Sequence, residues 1–471
     1  MGFFLENLTG RESVLNTRKK THLSPNLYIY TYPKSQSTYI FPNNNKTMHH
    51  ITTLLLITIL ISLSSFTQTV YSRYNTSVIP ITKDPQTSLP KVTWGLRLQQ
   101  WSGEPYLLID LDSPFTWKDC IIRHSDIPCG LEEGCRFPVN CNQPLCKEAK
   151  SYINPICPSL NITDKYGCDI CSVTPYNYVS NTCKISQLTT DLINVYLTNG
   201  RNPSPGPNQP FGTRFILSCA PSSALKSFPK DVRGVASFSW SGLSFPRQLS
   251  SIDIAGKFAL CLPASGSALG VAFLGDGPFY FTWEANLDLR SVLSYTPMIR
   301  KSSKSLGYFI TVNRIIVGKT PVSLAVKSVS VKLSTRVPYT VFRSDIFNGV
   351  VASFVKATGV RRVSAVKPFG FCFEDGSFGS GRVPNIGFET EGGKVWTVSG
   401  ENLMKRVGNG VSCLAFVDGG LKVNDAVVIG TFQMEDNFLY FDLVNQKLGF
   451  SSSLLARGTS CSSFNFTEIA S

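Results

Sequence analysis

Downstream of residue 75 the apolar positions come in short runs or alternate with polar ones, and Gly or Pro interrupts them every few residues. "GYFITVNRIIVGKTPV" (307–322) and "NFLYFDLVNQKLGF" (437–450) read as pairs of strands joined by turns. Helical periodicity is rare. It is clearest where Ser344 and Asp345 cap "IFNGVVASFVKATG", with Ile346, Phe347, Val350, Val351 and Phe354 on one face and Gly359 at the end. The chain is therefore expected to be mostly β. A faint repeat accompanies this pattern. An apolar strand at "LLIDLDS" (107–113) is answered by an apolar-Gly strand around Gly234, and "VKLSTRV" (331–337) is answered by one around Gly430.

One apolar run has a different origin. Residues 48–72, "MHHITTLLLITILISLSSFTQTVYS", hold an apolar stretch from Ile51 to Leu63, with Val70 and Ser72 at the −3 and −1 positions of a cleavage site. That is the form of a secretory signal, and it falls short of the roughly 20 apolar residues that span a bilayer. No later stretch is long enough, so no stable membrane association is expected. Residues 1–47 resemble no signal region and read as an extra leader or as lying upstream of the true start. Removal of 1–72 leaves 39 basic and 29 acidic residues, net +10 against +14 for the whole chain. Such a surface suits an acidic partner or a pectin-rich cell wall, and in a secreted protein it does not imply nucleic acid.

All fourteen cysteines follow the signal, an even number in a secreted chain, which implies disulfides. Zinc at Cys168-Asp-Ile-Cys171 lacks a matching second pair, so no metal is expected. Nine cysteines crowd 120–183, beginning with Cys120; if all pair, at least one reaches Cys219, Cys261 or Cys461. Cys372 and Cys413 read as a separate pair, and Cys461 as the tie between the C-terminal tail and the body. Sequons at Asn75, Asn161 and Asn465 fit glycosylated surface loops.

Candidate chemistry begins at "YLLIDLDSPFTWKDC" (106–120). It resembles the active-site strand of a pepsin-like aspartic peptidase, where Asp-Thr-Gly-Ser follows a hydrophobic run. "KLSTRVPYTVFRSDIF", "KFALCLP", "QMEDNFLYFDL" with "KLGFS", and the "CSSFNFT" tail are similar to the plant pepsin-like inhibitor family. That family includes cereal xylanase inhibitors, seed basic globulins and dermal-glycoprotein-type inhibitors of fungal xyloglucanases; "VDGG" (417–420) and the tail lean toward the last branch. The resemblance implies a bilobal, mostly β, pepsin-like fold with a central cleft, its lobes at 73–290 and 291–471. Asp110 and Ser334 would face each other across the cleft.

Peptidase chemistry needs two carboxylates that share a proton. Asp110 holds the first position, but Ser334 holds the second and cannot ionise at working pH. The two loop glycines are replaced by Asp112 and Arg336, and Tyr176-Asn177 stands at the flap where active relatives carry Tyr-Gly. Asp418 reads as turn chemistry. His124, the sole histidine after the signal, lies beside no nucleophile elbow. The chain is expected to have no peptidase activity and no cofactor. The resemblance implies instead a secreted inhibitor of a microbial glycoside hydrolase, foremost a fungal xyloglucan-specific endoglucanase, acting in the apoplast or wall. Such hydrolases present two carboxylates about 5 Å apart in a cleft, and an arginine fork can plug them. Arg457, four residues before Cys461, is the first candidate and Arg382 the second. The alternatives are a xylanase inhibitor or a basic-globulin-type storage or peptide-binding protein.

Overall fold

The computed structural model describes residues 75–93, 106–120, 137–152, 156–157, 170–203, 211–250, 254–281, 287–378 and 383–467. The 48–72 signal, His124, Cys129, Cys135, Asn161, Cys168 and Arg382 lie outside the described residues.

Strands dominate, as the alternation predicts. The 307–322 segment is the strand Tyr308–Val317 followed by Thr320–Pro321. Gly318 makes the turn between them at φ +62°, a left-handed position that glycine adopts without penalty. The 437–450 segment is the hairpin Phe438–Asp442 with Lys447–Phe450. Every side chain of its first strand is buried, and Phe441 stacks flat on Phe258 at 4.4 Å. The strand is also paired along both edges, with Lys257–Cys261 and with its hairpin partner.

The largest sheet therefore takes in residues from both sides of the expected 290/291 division. It runs from Ser294–Pro297 and the C-terminal hairpin, through Lys257–Cys261, Gly270–Leu274 and Thr76–Lys83, to Tyr106–Asp110 and Val232–Ser237. A second sheet holds Tyr308–Val317, Val329–Leu333, Val427–Ile429 and Thr340–Phe342. A two-stranded hairpin, Tyr176–Asn177 with Thr182–Cys183, stands apart.

The helix spans Ser344–Thr358 and ends on Gly359 at φ +68°. Ile346, Phe347, Val350 and Phe354 are buried, and Val351 lies half-buried at the edge of the stripe. Its N-cap is Arg343, not Ser344 or Asp345. The Ser344 hydroxyl donates to Asp418 Oδ1 at 2.6 Å, and Asp345 pairs with Arg343, so both candidate capping groups are engaged elsewhere. Among the described residues no helix is long and apolar enough to cross a membrane.

Candidate functional site

The two halves build the same local device. Tyr106–Asp110 lies parallel to Val232–Ser237, with Asp110 level with Ser237. Val329–Leu333 lies parallel to Val427–Ile429, with Leu333 level with Ile429. In each half the central strand is flanked on its other side by an antiparallel strand, Trp117–Asp119 in one and Thr340–Phe342 in the other. The loops correspond residue by residue, Asp110 to Ser334, Pro114 to Pro338, Phe115 to Tyr339 and Thr116 to Thr340. Their hydrogen bonds correspond too. Ser237 N donates to Thr116 Oγ1 at 3.0 Å, as Gly430 N does to Thr340 Oγ1 at 3.1 Å.

This register corrects one sequence reading. The counterpart of Gly430 is Ser237, not Gly234. Gly234 lies beside the register shift in its strand, where a Cβ would sit 2.0 Å from the Trp117 carbonyl oxygen. It is a glycine because of that close approach. Ser237 tolerates its buried place because its hydroxyl donates to the Ser113 carbonyl at 2.6 Å.

The two loops meet. Leu111 N donates to Thr335 Oγ1 at 3.3 Å, which brings Asp110 and Ser334 to opposite sides of one contact. Between them lies Arg336. Its Nε donates to both oxygens of Asp110 at 2.9 and 3.0 Å, and Nη2 adds a third bond at 2.9 Å. Nη1 reaches Asp112 Oδ2 at 3.4 Å, and Lys332 Nζ approaches the same oxygen at 2.5 Å. The residues at the two loop-glycine positions thus pair with each other across the site. Ser334 Oγ accepts from Arg336 N at 3.2 Å. Burial alone would lower the Arg336 pKa, but the Asp110 and Asp112 carboxylates outweigh it and hold the guanidinium charged.

The Tyr176–Cys183 hairpin covers this cluster. The rings of Tyr176 and Tyr178 lie 5.6 and 5.4 Å from the Arg336 guanidinium carbon. Asn177, buried, donates to the carbonyls of Ala224 and Lys226 and accepts from Val179 N and Ser180 N. Its amide pins the hairpin to the body. Burial pushes the Tyr178 hydroxyl well up, with a smaller push from Asp110.

Sequence reasoning found Arg336 as a missing glycine but not its role as a partner of Asp110. The Pro-aromatic-Thr repeat after each loop was the available signal. Asp418 sits where turn chemistry expects it, accepting from Gly420 N at 2.9 Å. Among the described residues no group of His, Cys, Asp and Glu could hold a metal.

The other singled-out residues lie elsewhere. Arg457 is exposed at the end of a 3-10 helix, Leu454–Arg457, and makes no ion pair among the described residues. It borders a hollow of about 470 Å³ with Val292, Val395, Phe450 and Ser453. Asp436 anchors this helix, accepting from Leu454 N at its carbonyl and from Cys461 N at its carboxylate. Disulfides join Cys261 to Cys461, Cys120 to Cys219 and Cys372 to Cys413. Two more join Cys146 to Cys171 and Cys157 to Cys183. Asn75 and Asn465 are exposed.

Comparison with known proteins places this geometry. The families described as "Xylanase inhibitor N-terminal" and "Xylanase inhibitor C-terminal" match residues 96–276 and 307–452. "Chitinase CLP" of Oryza sativa subsp. japonica is 35% identical, over 83% of this chain and 92% of its own. "Gamma conglutin 1" of Prunus dulcis is 33% identical, over 88% and 95%. The crystal structure of edgp superposes with a TM-score of 0.69 at 30% identity, covering 84% of this chain and 99% of that one. A paired-loop, pepsin-like frame shared along nearly whole lengths leaves one assignment: the chain belongs to the pepsin-like family of xylanase inhibitors, basic 7S globulins and gamma conglutins.

Proposed function

We propose that the chain is a secreted binding protein without peptidase activity, which inhibits microbial glycoside hydrolases of the xylanase type by presenting Arg457 to their catalytic carboxylates. The observation that carries the reading is the setting of Arg457. It is exposed, has no carboxylate partner among the described residues, and stands on a short helix held by Asp436 and the Cys261–Cys461 bridge. Prior ordering of the contact group lowers the cost of binding. The family description supports a xylanase as target more directly than the xyloglucanase favoured by the sequence motifs. Absence of peptidase activity is supported by Ser334 at the second aspartate's place and by Arg336 upon the first. Secretion is supported by the 48–72 segment and the disulfides. Arg382 remains the second candidate contact.

Titration of the purified protein against a panel of xylanases and xyloglucanases, with residual activity as readout, tests the reading. Loss of xylanase activity that depends on Arg457 supports it. No inhibition across the panel overturns it in favour of the basic-globulin reading, which the many seed-globulin relatives support. Turnover of chitin, the activity named for the rice relative, would overturn it in favour of an enzyme.

A further inference from the structure

The positive charge of the chain, +14 overall, is not spent on Arg457 alone. Arg247 lies on the short helix Phe245–Leu249, whose Phe245, Pro246 and Leu249 are buried, so the arginine points away from the core. Arg300 follows the strand Ser294–Pro297 and is exposed. Its Nη2 donates to the carbonyls of Ser303 and Ser305 at 2.7 and 3.3 Å, closing a turn that carries Lys304 outward. The two guanidinium carbons stand 6.0 and 5.6 Å from the centre of one ring, that of the buried Trp240. Both guanidiniums border one ring, so an anion lodged between them would be attracted by both.

None is supplied by the described residues. Arg247, Arg300 and Lys304 make no ion pair there, whereas Lys301, in the same turn, is neutralised by Asp425. The Tyr308 hydroxyl reports the same imbalance. Burial pushes it up, and the charges acting on it are Arg247 and Arg300, both pulling it down, with no carboxylate opposing them.

We propose that Arg247, Arg300 and Lys304 form a docking surface for an acidic polysaccharide whose repeating units carry carboxylates. Guanidinium forks match carboxylate geometry, which an ammonium alone does not. A single exposed pair adds little net binding, so a lone carboxylate gains little here. A chain that repeats the group meets several cations at once, and the later contacts form at high effective concentration. A protein partner fits less well. A protein interface is built around a desolvated aromatic or apolar centre, and here Trp240 is already buried. The exposed apolar side chains beside the cations are Ile299, next to Arg300, and Val444, near Arg247 across Gly256.

The test is retention on immobilised polygalacturonate, on fully methyl-esterified pectin and on dextran sulfate in rising sodium chloride. The triple variant Arg247→Ala, Arg300→Ala, Lys304→Ala is compared with Lys319→Ala, Lys327→Ala, Lys394→Ala, which removes equal charge from other exposed sites. The patch variant is expected to lose about tenfold or more in affinity for polygalacturonate at low salt, and to show a shallower salt dependence by about one unit per cation. The control triple should lose less than about threefold, and thermal unfolding should be alike in both. Equal losses in the two triples would assign binding to net charge and overturn the proposal. So would undiminished retention on the methyl-esterified polymer. A loss confined to dextran sulfate would overturn the carboxylate assignment. Inhibition through Arg457 is read separately, so either result stands without the other.

Discussion

Arg336 grips Asp110 with three hydrogen bonds of 2.9 to 3.0 Å, and Asp110 itself is 1% exposed. A guanidinium from the opposite loop thus occupies the contact between the two loops, with its own backbone N–H on Ser334. A buried ion pair of this kind is weak evidence for stability as a unit, yet breaking it by removing one partner is costly. Arg336→Ala should therefore destabilise the protein by about 3–5 kcal/mol in urea unfolding. Arg336→Lys should recover part of that loss, since a point charge replaces the fork. A change below about 1 kcal/mol for the alanine variant would mean that Asp110 finds water or another donor.

Ser334→Asp should not create a peptidase. The new carboxylate would meet Arg336, already bound to Asp110 and near Asp112, and two carboxylates clamped on one guanidinium cannot share a proton around a water. Hydrolysis of a pepsin substrate at acid pH, sensitive to a transition-state inhibitor, is the measurement. Turnover by this single variant would show that the cation leaves.

Glu435 sets a pH dependence. It is 4% exposed, and burial raises its pKa to about 7, although Lys83 at 2.6 Å pulls the other way. An acid whose folded pKa exceeds its unfolded value, roughly 4.3, stabilises the fold most when protonated. Its contribution is complete below about pH 4 and is lost as pH rises through 7, by about 4 kcal/mol in all. Asp436 is raised by burial too, in the same sense. Urea midpoints at pH 5 and 7.5 should fall with pH in the parent and fall less in Glu435→Gln. Parallel curves would place the titration elsewhere.

The Cys261–Cys461 bridge closes a loop of 200 residues. By the chain-entropy account such a closure restricts the unfolded state by about 5 kcal/mol. Replacing both cysteines with alanine should lower the Tm markedly and weaken inhibition, because the segment bearing Arg457 loses its anchor. Unchanged inhibition in a destabilised variant would locate the contact away from this helix.

Arg457→Ala should weaken inhibition of a sensitive hydrolase by about 2–5 kcal/mol, the cost of leaving the target's carboxylates without a partner. Arg457→Lys should restore it in part. Thermal stability should not move, since the side chain is exposed. An unchanged inhibition constant would shift attention to Arg382.

Much of this protein was legible from its chain alone. Short β-branched and aromatic runs in 307–322 and 437–450, with Gly318 at the turn of the first, specified strands because such side chains favour a pleated, packed surface. Asp110, Ser334 and Arg336, which the structure brings to one contact, could be singled out from the chain because side-chain chemistry is local. Long-range pairing was not legible. Gly234 and Ser237 are three residues apart in one strand, and only the register against Asp110 tells which of them answers Gly430. Ser344 offers a capping hydroxyl by every local rule, but Asp418, 74 residues away, takes it. Arg336 and Asp110, 226 positions apart, meet because two sheets bring their loops to one contact. Hydrogen bonds and ion pairs form between whatever groups the fold brings within about 3 Å, and that distance is set by the packing of the whole rather than by neighbours in the chain.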